Sequence, residues 1–298
     1  MSLLVKVAVA SAVVVLTAAC GSEGSSDDGE GEPALGKAVS VADVRTVSLP
    51  LDEYRNTHAE GIARAESILA NKCLRTLGIT YTLPVAAPPT ELISGVSRRY
   101  GLADPAEAAT RGYHLPEGAG PQAGPGSGPQ EEAPVSPEVE SALTGRGQSS
   151  IGGKPIPEGG CLGQARATLA EGAPAQGEPM LAERLAGEAL QRTNGDSRVA
   201  AKNAEWSACM KGAGFNYADP MKTISDPAFA GDSPTPAEIA TAKADVACKD
   251  KVGLVATMVQ VETAYQQRAL EANAEVLKSV KAAQDAMVRN AQKVVAGG

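Results

Sequence analysis

Cysteine is the residue type in this chain best suited to forming covalent links, and the sequence contains five. Four lie in the body of the sequence, at Cys73, Cys161, Cys209 and Cys248. No two of them form a Cys-x-x-Cys pair, which argues against thioredoxin-like redox chemistry and against a zinc ribbon. In an exported chain, an even number of cysteines is typical of a disulfide framework. We therefore expect two disulfides, for which three connectivities exist.

The fifth cysteine, Cys20, ends an N-terminal segment with the layout of a secretory signal peptide. Lys6 comes first, then an apolar run from Val7 to Leu16 and three small residues before Cys20. The segment resembles a bacterial lipobox, which implies that Cys20 becomes a diacylglycerol-modified N-terminus on the outer face of the cell membrane. An ordinary secretion signal is the alternative, because Thr17 stands where Leu, Val or Ile is usual. The run is shorter than the roughly 20 residues that span a bilayer, so no transmembrane helix is predicted.

The two histidines are weak candidates for catalysis. His58 falls on the apolar stripe of a predicted helix and is expected to be a partly buried structural residue. His114 follows Tyr113 just past a predicted helix end, and these two residues are the better binding candidates, against a turn-packing role. Trp206 precedes Cys209 by three residues and should pack over the second disulfide, with a carbohydrate platform as the alternative.

Other signatures of catalysis or cofactor binding do not occur in the sequence. There is no Gly-x-Ser-x-Gly, no phosphate loop and no dinucleotide fingerprint. No His/Asp/Glu spacing indicates a metal site. The acidic pairs Asp52/Glu53 and Glu131/Glu132 could form a glycosidase dyad only if they were held across a cleft, and solvated surface is the favoured reading. We predict a protein that is not an enzyme and carries no metal or cofactor.

Composition favours a helical fold and excludes a class of partner. The formal net charge is −8, whereas a nucleic-acid-binding protein would show a basic face. The chain has one Trp, two Phe and six Tyr, so its core must be built mainly from small aliphatic residues. The predicted fold is mainly α: a helical bundle with a long C-terminal helix, long Pro/Gly-rich loops and two disulfides. The predicted segments are a signal peptide (1–19), a lipidated Cys20 with a disordered tether (20–40), an N-terminal helical half (41–114), a Pro/Gly-rich linker (115–158) and a C-terminal helical half (159–298).

Helix signals recur along both halves. A stripe of apolar residues predicts a helix over Leu51–Leu77 that ends at Gly78. Asp104-Pro-Ala-Glu and Thr235-Pro-Ala-Glu read as capping boxes. After the second box, the pattern predicts one continuous helix of about 60 residues, with Gly253 as its bend. Shorter helices are predicted near 137–143 and over 161–171, 178–192 and 197–211.

One motif occurs twice. Residues 73–84 read CLRTLGITYTLP and residues 209–220 read CMKGAGFNYADP, with seven positions matching in type at fixed offsets. Each copy predicts a helix that ends in a glycine cap, with its cysteine on the buried stripe. The repeat suggests the pairing Cys73–Cys161 and Cys209–Cys248, in which each repeat cysteine bonds to the next cysteine along the chain.

Several segments resemble a large family of actinobacterial exported proteins and lipoproteins. The resembling segments are PLDEYR (50–55), KCLRTLGI (72–79), RRYGLADPAEAATRGYHLP (98–116), GGCLGQAR (159–166), WSACMKGAGFNYADP (206–220), DVACKDKVGL (245–254) and ETAYQQRALEANAEVL (262–277). The resemblance implies an extracytoplasmic protein and provides no catalytic or binding residues to carry over.

The sequence thus predicts a non-enzymatic, lipid-anchored envelope protein that serves as an interaction or structural module. The apolar stripe of the C-terminal helix runs on past Leu277, and we expect a protein partner or a second copy of the chain to cover it there. The alternatives are a solute-binding or transporter-accessory lipoprotein and a cell-wall hydrolase. A concave pocket with convergent polar groups would favour solute binding.

Overall fold

The structure is a computed structural model that describes residues 31–55, 58–85, 95–116, 135–175 and 177–297. The chain divides into two units, Met1–Glu32 and Pro33–Gly298, and every helix of the described residues belongs to the second. Cys20 and the predicted signal peptide lie outside the described residues. The helices are α1 (Ala59–Leu77), α2 (Pro105–Arg111), α3 (Pro137–Thr144), α4 (Gly160–Leu169), α5 (Leu181–Gly195), α6 (Ser197–Gly212), α7 (Pro220–Ile224), α8 (Pro236–Val252), α9 (Leu254–Ala272) and α10 (Ala274–Gly297). A short antiparallel hairpin of β1 (Ser150–Ile151) and β2 (Lys154–Pro155) completes a mainly helical fold.

Both predicted disulfides are present with the predicted pairing. The Cα atoms of Cys73 and Cys161 are 5.5 Å apart, and those of Cys209 and Cys248 are 5.7 Å apart. The first bond joins α1 to α4, and the second joins α6 to α8. Each lies in its own apolar cluster, so the two bonds tie together different parts of the core.

The repeated motif folds the same way in its two copies, as a helix C-terminus. In the first copy Gly78 has φ +86°, and the next amide donates to the Leu74 carbonyl over 3.0 Å. In the second copy Gly214 has φ +93°, and the next amide donates to the Met210 carbonyl over 2.9 Å. Glycine adopts this left-handed conformation without a steric penalty, and the six-residue hydrogen bond satisfies a carbonyl that the helix leaves open. The motif is therefore structural in both copies.

The predicted first helix starts later than the sequence pattern suggested. Asp52–Tyr54 form a separate 3-10 turn, and α1 begins at Ala59. His58 is the exposed residue before the first turn, so its prediction as a partly buried helix residue is wrong. The apolar stripe predicted the wrong helix start because Leu51 is buried outside α1. Leu51 is fully buried, and its N–H donates to Gln266 Oε1 of α9 over 2.9 Å.

The predicted continuous C-terminal helix is three helices. Gly253, the predicted bend, has φ +68° and separates α8 from α9. A second break at Asn273 was missed, and there the side chain donates to the Ala269 carbonyl over 2.7 Å. Asparagine competes with the helix backbone in this way, which lets the chain turn without glycine or proline. The last helix, α10, is still the longest of the described residues.

The apolar stripe of α10 is buried by its own chain at Val280 and Ala283, whereas Met287 and Val294 farther along the helix are only partly buried. Leu277, Val280 and Ala283 are fully buried. Leu277 packs in a cluster with Leu51 and residues of α5, and Ala291 packs against α1 and α4. The preceding helices have a different cover, because α6 packs on α8 and α9 while α1 packs on α10.

Parts of both predicted irregular segments belong to the folded body. Within the predicted tether, Pro33 is buried and its carbonyl accepts from Arg198 over 2.8 Å, while Leu35 packs against the largest apolar cluster. Within the predicted linker, α3 forms close to the expected position, and Ile151 of the hairpin is buried beside the first disulfide. Residues 117–134 of the linker lie outside the described residues.

Candidate functional site

A cleft of about 800 Å³ lies between the irregular segment 39–45, the start of α2, and the facing sides of α8 and α9. Its lining is dominated by small aliphatic side chains. These are Val39, Val41, Ala42, Val44, Ala103, Ala106, Ala108, Val246, Ala247, Val255 and Ala256. The walls come from three places far apart in sequence, so only the tertiary fold creates the cleft.

Charged side chains of both signs line this cleft. Arg45 Nε lies 3.2 Å from Asp43 Oδ1 and 3.4 Å from Asp104 Oδ2. Asp104 is held in place because its Oδ1 accepts from the Ala106 N–H over 2.7 Å as the N-cap of α2. Lys243 and Asp250 are exposed on α8 and line the same cleft. The cleft therefore combines an apolar interior with opposite charges.

Behind the cleft lies a buried ion pair on α8. Lys249, which also lines the cleft, is 1% exposed, and its ammonium donates to Asp245 Oδ2 over 3.0 Å and to the Leu102 carbonyl over 2.7 Å. Asp245 also accepts from the Trp206 indole N–H over 2.9 Å and from the Tyr113 hydroxyl over 3.3 Å. Burial raises the pKa of Asp245 and lowers that of Lys249, and the attraction between them partly offsets each change. This network fastens α8 to α6 and to the residues on either side of α2.

The two residues singled out at the end of α2 meet this network. Tyr113 is 7% exposed, and its ring stacks on Phe229 with centroids 5.7 Å apart. Its N–H donates to Glu238 Oε1 over 2.8 Å. The His114 ring places Nδ1 2.9 Å from the same Glu238 oxygen and Nε2 2.7 Å from the Gly231 carbonyl. Tyr113 and His114 thus join α2 to α8, on packing contacts rather than at the cleft surface.

The two predicted capping boxes form their N-cap hydrogen bonds, but the carboxylates of Glu238 and Glu107 do not return to the N-cap residues. The N-caps hold, since Thr235 accepts from the Glu238 N–H over 3.1 Å and Asp104 accepts from the first turn of α2. The two glutamate carboxylates serve tertiary contacts, because Glu107 binds Arg98 at 2.7 Å and Glu238 binds His114. Both carboxylates are buried, and Glu238 is fully so. The sequence signal was correct in position, but the local pattern carried no information about a distant partner.

A second buried network was missed entirely in the sequence. Glu262 is fully buried on α9, pairs with Arg99, and accepts from the Tyr100 hydroxyl over 2.8 Å and from Gln266 over 2.7 Å. Burial raises the pKa of Tyr100, and the adjacent Glu262 carboxylate adds to the rise. Gln266 also accepts a hydrogen bond from the Leu51 N–H, which extends the network to the N-terminal segment. These contacts position the N-terminal segment, and none of the network residues lines the cleft.

The remaining predicted residues are placed as follows. Trp206 is fully buried in the cluster that contains Cys248, so it presents no face to a carbohydrate. Glu53 is exposed, and Asp52 accepts from the Leu49 N–H over 2.7 Å, so this acidic pair makes no dyad. Glu131 and Glu132 lie outside the described residues. Within the described ranges, no three His, Cys, Asp or Glu side chains gather as a metal site, and no helix is both long and apolar enough to cross a membrane.

Comparisons with protein-family models, with curated proteins and with solved structures found no match.

Proposed function

We propose that this chain is a lipid-anchored, non-enzymatic binding protein on the outer face of the cell membrane, and that the cleft between segment 39–45 and α8 is its binding site. The anchor is the diacylglycerol on Cys20 that the lipobox-like segment implies. Two disulfides are consistent with an oxidising compartment outside the cytoplasm. The resemblance to exported actinobacterial lipoproteins supports the same location.

The observation that carries the proposal is the cleft itself. Small-molecule sites are concave, mostly apolar, and typically about 300–1,000 Å³, with a few polar groups that orient the ligand. The cleft has about 800 Å³, aliphatic walls and charged side chains in its lining. Because Leu277, Val280 and Ala283 are buried by the same chain, the first half of α10 offers no apolar stripe to a protein partner, which favours the solute-binding alternative for the cleft.

The charges in the cleft indicate the class of ligand. Lys243 and Asp250 are seven positions apart on α8, which places their backbone positions about 10 Å apart along the helix axis. A ligand with an apolar body, an anionic end and a cationic end would satisfy both. A short zwitterionic peptide with aliphatic side chains has this chemistry.

Thermal unfolding with defined solutes tests the proposal. The panel is Val-Val, Ala-Leu-Ala, free valine and maltose, each added to the purified chain. A ligand at 100 times its Kd adds about 2.7 kcal/mol to the free energy of unfolding, which raises Tm by roughly 5–10 °C for a chain of this size. We expect the peptides to raise Tm and maltose to have no effect.

Two matched alanine-to-tryptophan variants test whether the rise in Tm comes from binding in the cleft. Ala247 is exposed and lines the cleft, so Ala247→Trp should fill it and abolish the Tm rise. Ala204 is an exposed alanine on α6 away from the cleft, so Ala204→Trp should leave the rise intact. A peptide that stabilises both variants equally binds elsewhere, and a panel that stabilises neither the wild type nor Ala204→Trp contradicts the ligand class.

Self-association is a second candidate function, favoured by one observation. A groove of about 440 Å³ lies between α1 and α10, and Ile62, Val288 and Val295 contribute to its apolar lining. Val295 is 38% exposed there. If this groove seats a second copy of the chain, size-exclusion chromatography with light scattering should give a dimer that Val295→Lys converts to a monomer.

A further inference from the structure

The loop Gly112–His114, which follows α2, is fastened to α8 by a histidine whose two ring nitrogens both face acceptors. Nδ1 lies 2.9 Å from Glu238 Oε1, and Nε2 lies 2.7 Å from the Gly231 carbonyl. A backbone carbonyl and an ionised carboxylate accept hydrogen bonds and cannot donate them. A neutral imidazole carries only one N–H, so it would leave a ring lone pair facing one of these oxygens at hydrogen-bond distance. With Glu238 ionised, only the doubly protonated ring donates both bonds.

Within the described residues, no other cationic side chain forms an ion pair with the carboxylate that His114 meets. Glu238 is fully buried; its Oε1 accepts from Tyr113 and His114, and its Oε2 has no hydrogen-bond partner in the described residues. A buried carboxylate is costly unless it is paired and hydrogen-bonded. The positive charge of His114 therefore stabilises the Glu238 carboxylate, whose burial would otherwise be strongly destabilising.

The backbone of the same loop depends on this arrangement. Gly112 has φ +56°, and a Cβ at this position would lie 2.5 Å from Glu238 Oε1. The close approach brings the Tyr113 N–H within 2.8 Å of that oxygen. The loop, the histidine and the carboxylate consequently form one unit, which we call the latch (residues 112–114 with Glu238 and Gly231).

The other charges around the latch lie on three elements. Arg98 donates to the Tyr113 and His114 carbonyls over 3.1 and 3.0 Å, and it is itself paired with Glu107 of α2. Through the Tyr113 hydroxyl, the latch reaches the Asp245–Lys249 pair of α8. Arg98 binds backbone carbonyls rather than the ring, so its contacts do not replace the proton on His114.

We propose that His114 makes the latch responsive to pH: its imidazolium ties residues 112–114 to α8 and to the Gly231 turn, and loss of one ring proton releases the loop. Histidine is the side chain whose charge ordinarily changes between pH 5 and 8, so an extracytoplasmic pH change acts on it directly. Because α2 packs on α8 and both line the cleft, release would loosen one wall of the cleft. The latch is inferred from the described contacts alone and does not depend on the ligand proposed for the cleft.

The direction of the response follows from the contacts. The Gly231 carbonyl and then the Glu238 carboxylate raise the pKa of His114 above its ordinary value of 6.5. A pKa that is higher in the folded state than in the unfolded state stabilises the fold fully below the unfolded value. That contribution is lost as the pH rises through the raised pKa. The latch is therefore closed at pH values below the raised pKa of His114 and opens as the pH rises through it.

Proton NMR of the intact chain tests the protonation step, because the sequence has only two histidines and their C2–H signals are easily followed. His58→Gln assigns the His114 signal without touching the latch, since His58 is exposed at the start of α1. We expect His114 to titrate above pH 6.5 and Glu238→Gln to bring its midpoint down towards that value. A midpoint at or below pH 6.5 in the wild type overturns the proposal, whether or not the variant folds.

Tryptophan fluorescence tests the release step, because Trp206 and Tyr113 both donate hydrogen bonds to the Asp245 carboxylate and the sequence has one tryptophan. Between pH 5.5 and 9, wild-type emission should change with the same midpoint as the His114 signal. The change should persist in His58→Gln and be absent in His114→Gln, which keeps one donor but does not titrate. If His114 titrates above pH 6.5 while Trp206 emission stays constant, the proton does not operate a latch and the proposal is wrong.

Discussion

The substitution Leu277→Ala tests whether α10 is part of the core or an arm that awaits a partner. Leu277 is fully buried in a cluster with Leu51, Leu181 and Leu185, which lie on the N-terminal segment and on α5. Its neighbour Val276, on the same helix, is 42% exposed. The pair differs in burial far more than in chemistry, so Val276→Ala is the matched control.

The magnitude follows from the burial. A fully buried leucine replaced by alanine loses the transfer free energy of the removed atoms and leaves a cavity, which together cost about 2–5 kcal/mol. For a chain of this size, about 3 kcal/mol lowers Tm by roughly 6–12 °C. Val276→Ala removes exposed atoms and adds a better helix former, so its Tm should change by less than about 2 °C.

Chemical and thermal unfolding, followed by circular dichroism at 222 nm, measure the change in unfolding free energy and the change in Tm for each variant. The measurement should be repeated over a tenfold range of protein concentration. If Leu277→Ala is as stable as Val276→Ala, α10 does not pack on the N-terminal segment and the assignment of the stripe to the core is wrong. If instead the loss depends on concentration, the stripe is buried between copies of the chain.

Three further perturbations address the anchor, the second disulfide and the latch loop. Cys20→Ser should release the protein into the medium or leave it unprocessed, and a processed protein that stays in the membrane fraction would contradict lipidation. The double substitution Cys209→Ser/Cys248→Ser opens a bond that spans 39 residues. By loop entropy this bond stabilises the fold by about 4 kcal/mol, and denaturant titration against the wild type measures the loss. Gly112→Ala introduces a Cβ at φ +56° against Glu238, so we expect a loss of about 1–3 kcal/mol, whereas Gly187→Ala on α5, where a Cβ meets nothing within 4 Å, should be neutral or stabilising.

Local patterns predicted most of the helices because the signals that make and end a helix lie within one or two turns. Asp104 and Thr235 cap the helices that they were expected to cap, and Gly253 turns the chain where a bend was expected. The break at Asn273 was not predicted because an asparagine within a helical pattern does not show whether its side chain will bond to the backbone, as it does here to the Ala269 carbonyl.

The pairing of the cysteines could also be predicted from the sequence, through the internal repeat. Two copies of one motif imply two copies of one local structure, and the caps at Gly78 and Gly214 are indeed alike. Each copy then needs its own partner cysteine, which leaves the next one along the chain as the natural choice. The observed pairs follow this rule.

The candidate site was beyond reach of the sequence, because its parts meet only in the tertiary fold. Segment 39–45 was assigned partly to a tether, yet it forms one wall of the cleft. Glu238 was recognised as a first-turn acid, but its partner His114 is 124 positions away. A stripe of small aliphatic residues shows that a helix face must be covered without showing by what. Amino-acid sequence therefore determined most of the helices, the ends marked by Gly78, Asp104, Thr235 and Gly253, and the disulfide pairing, which depend on local hydrogen bonds and on a repeat. The cover of α10, the cleft and the pairing of buried charges were decided by tertiary packing, because burial in a common core selects among many chemically equivalent faces.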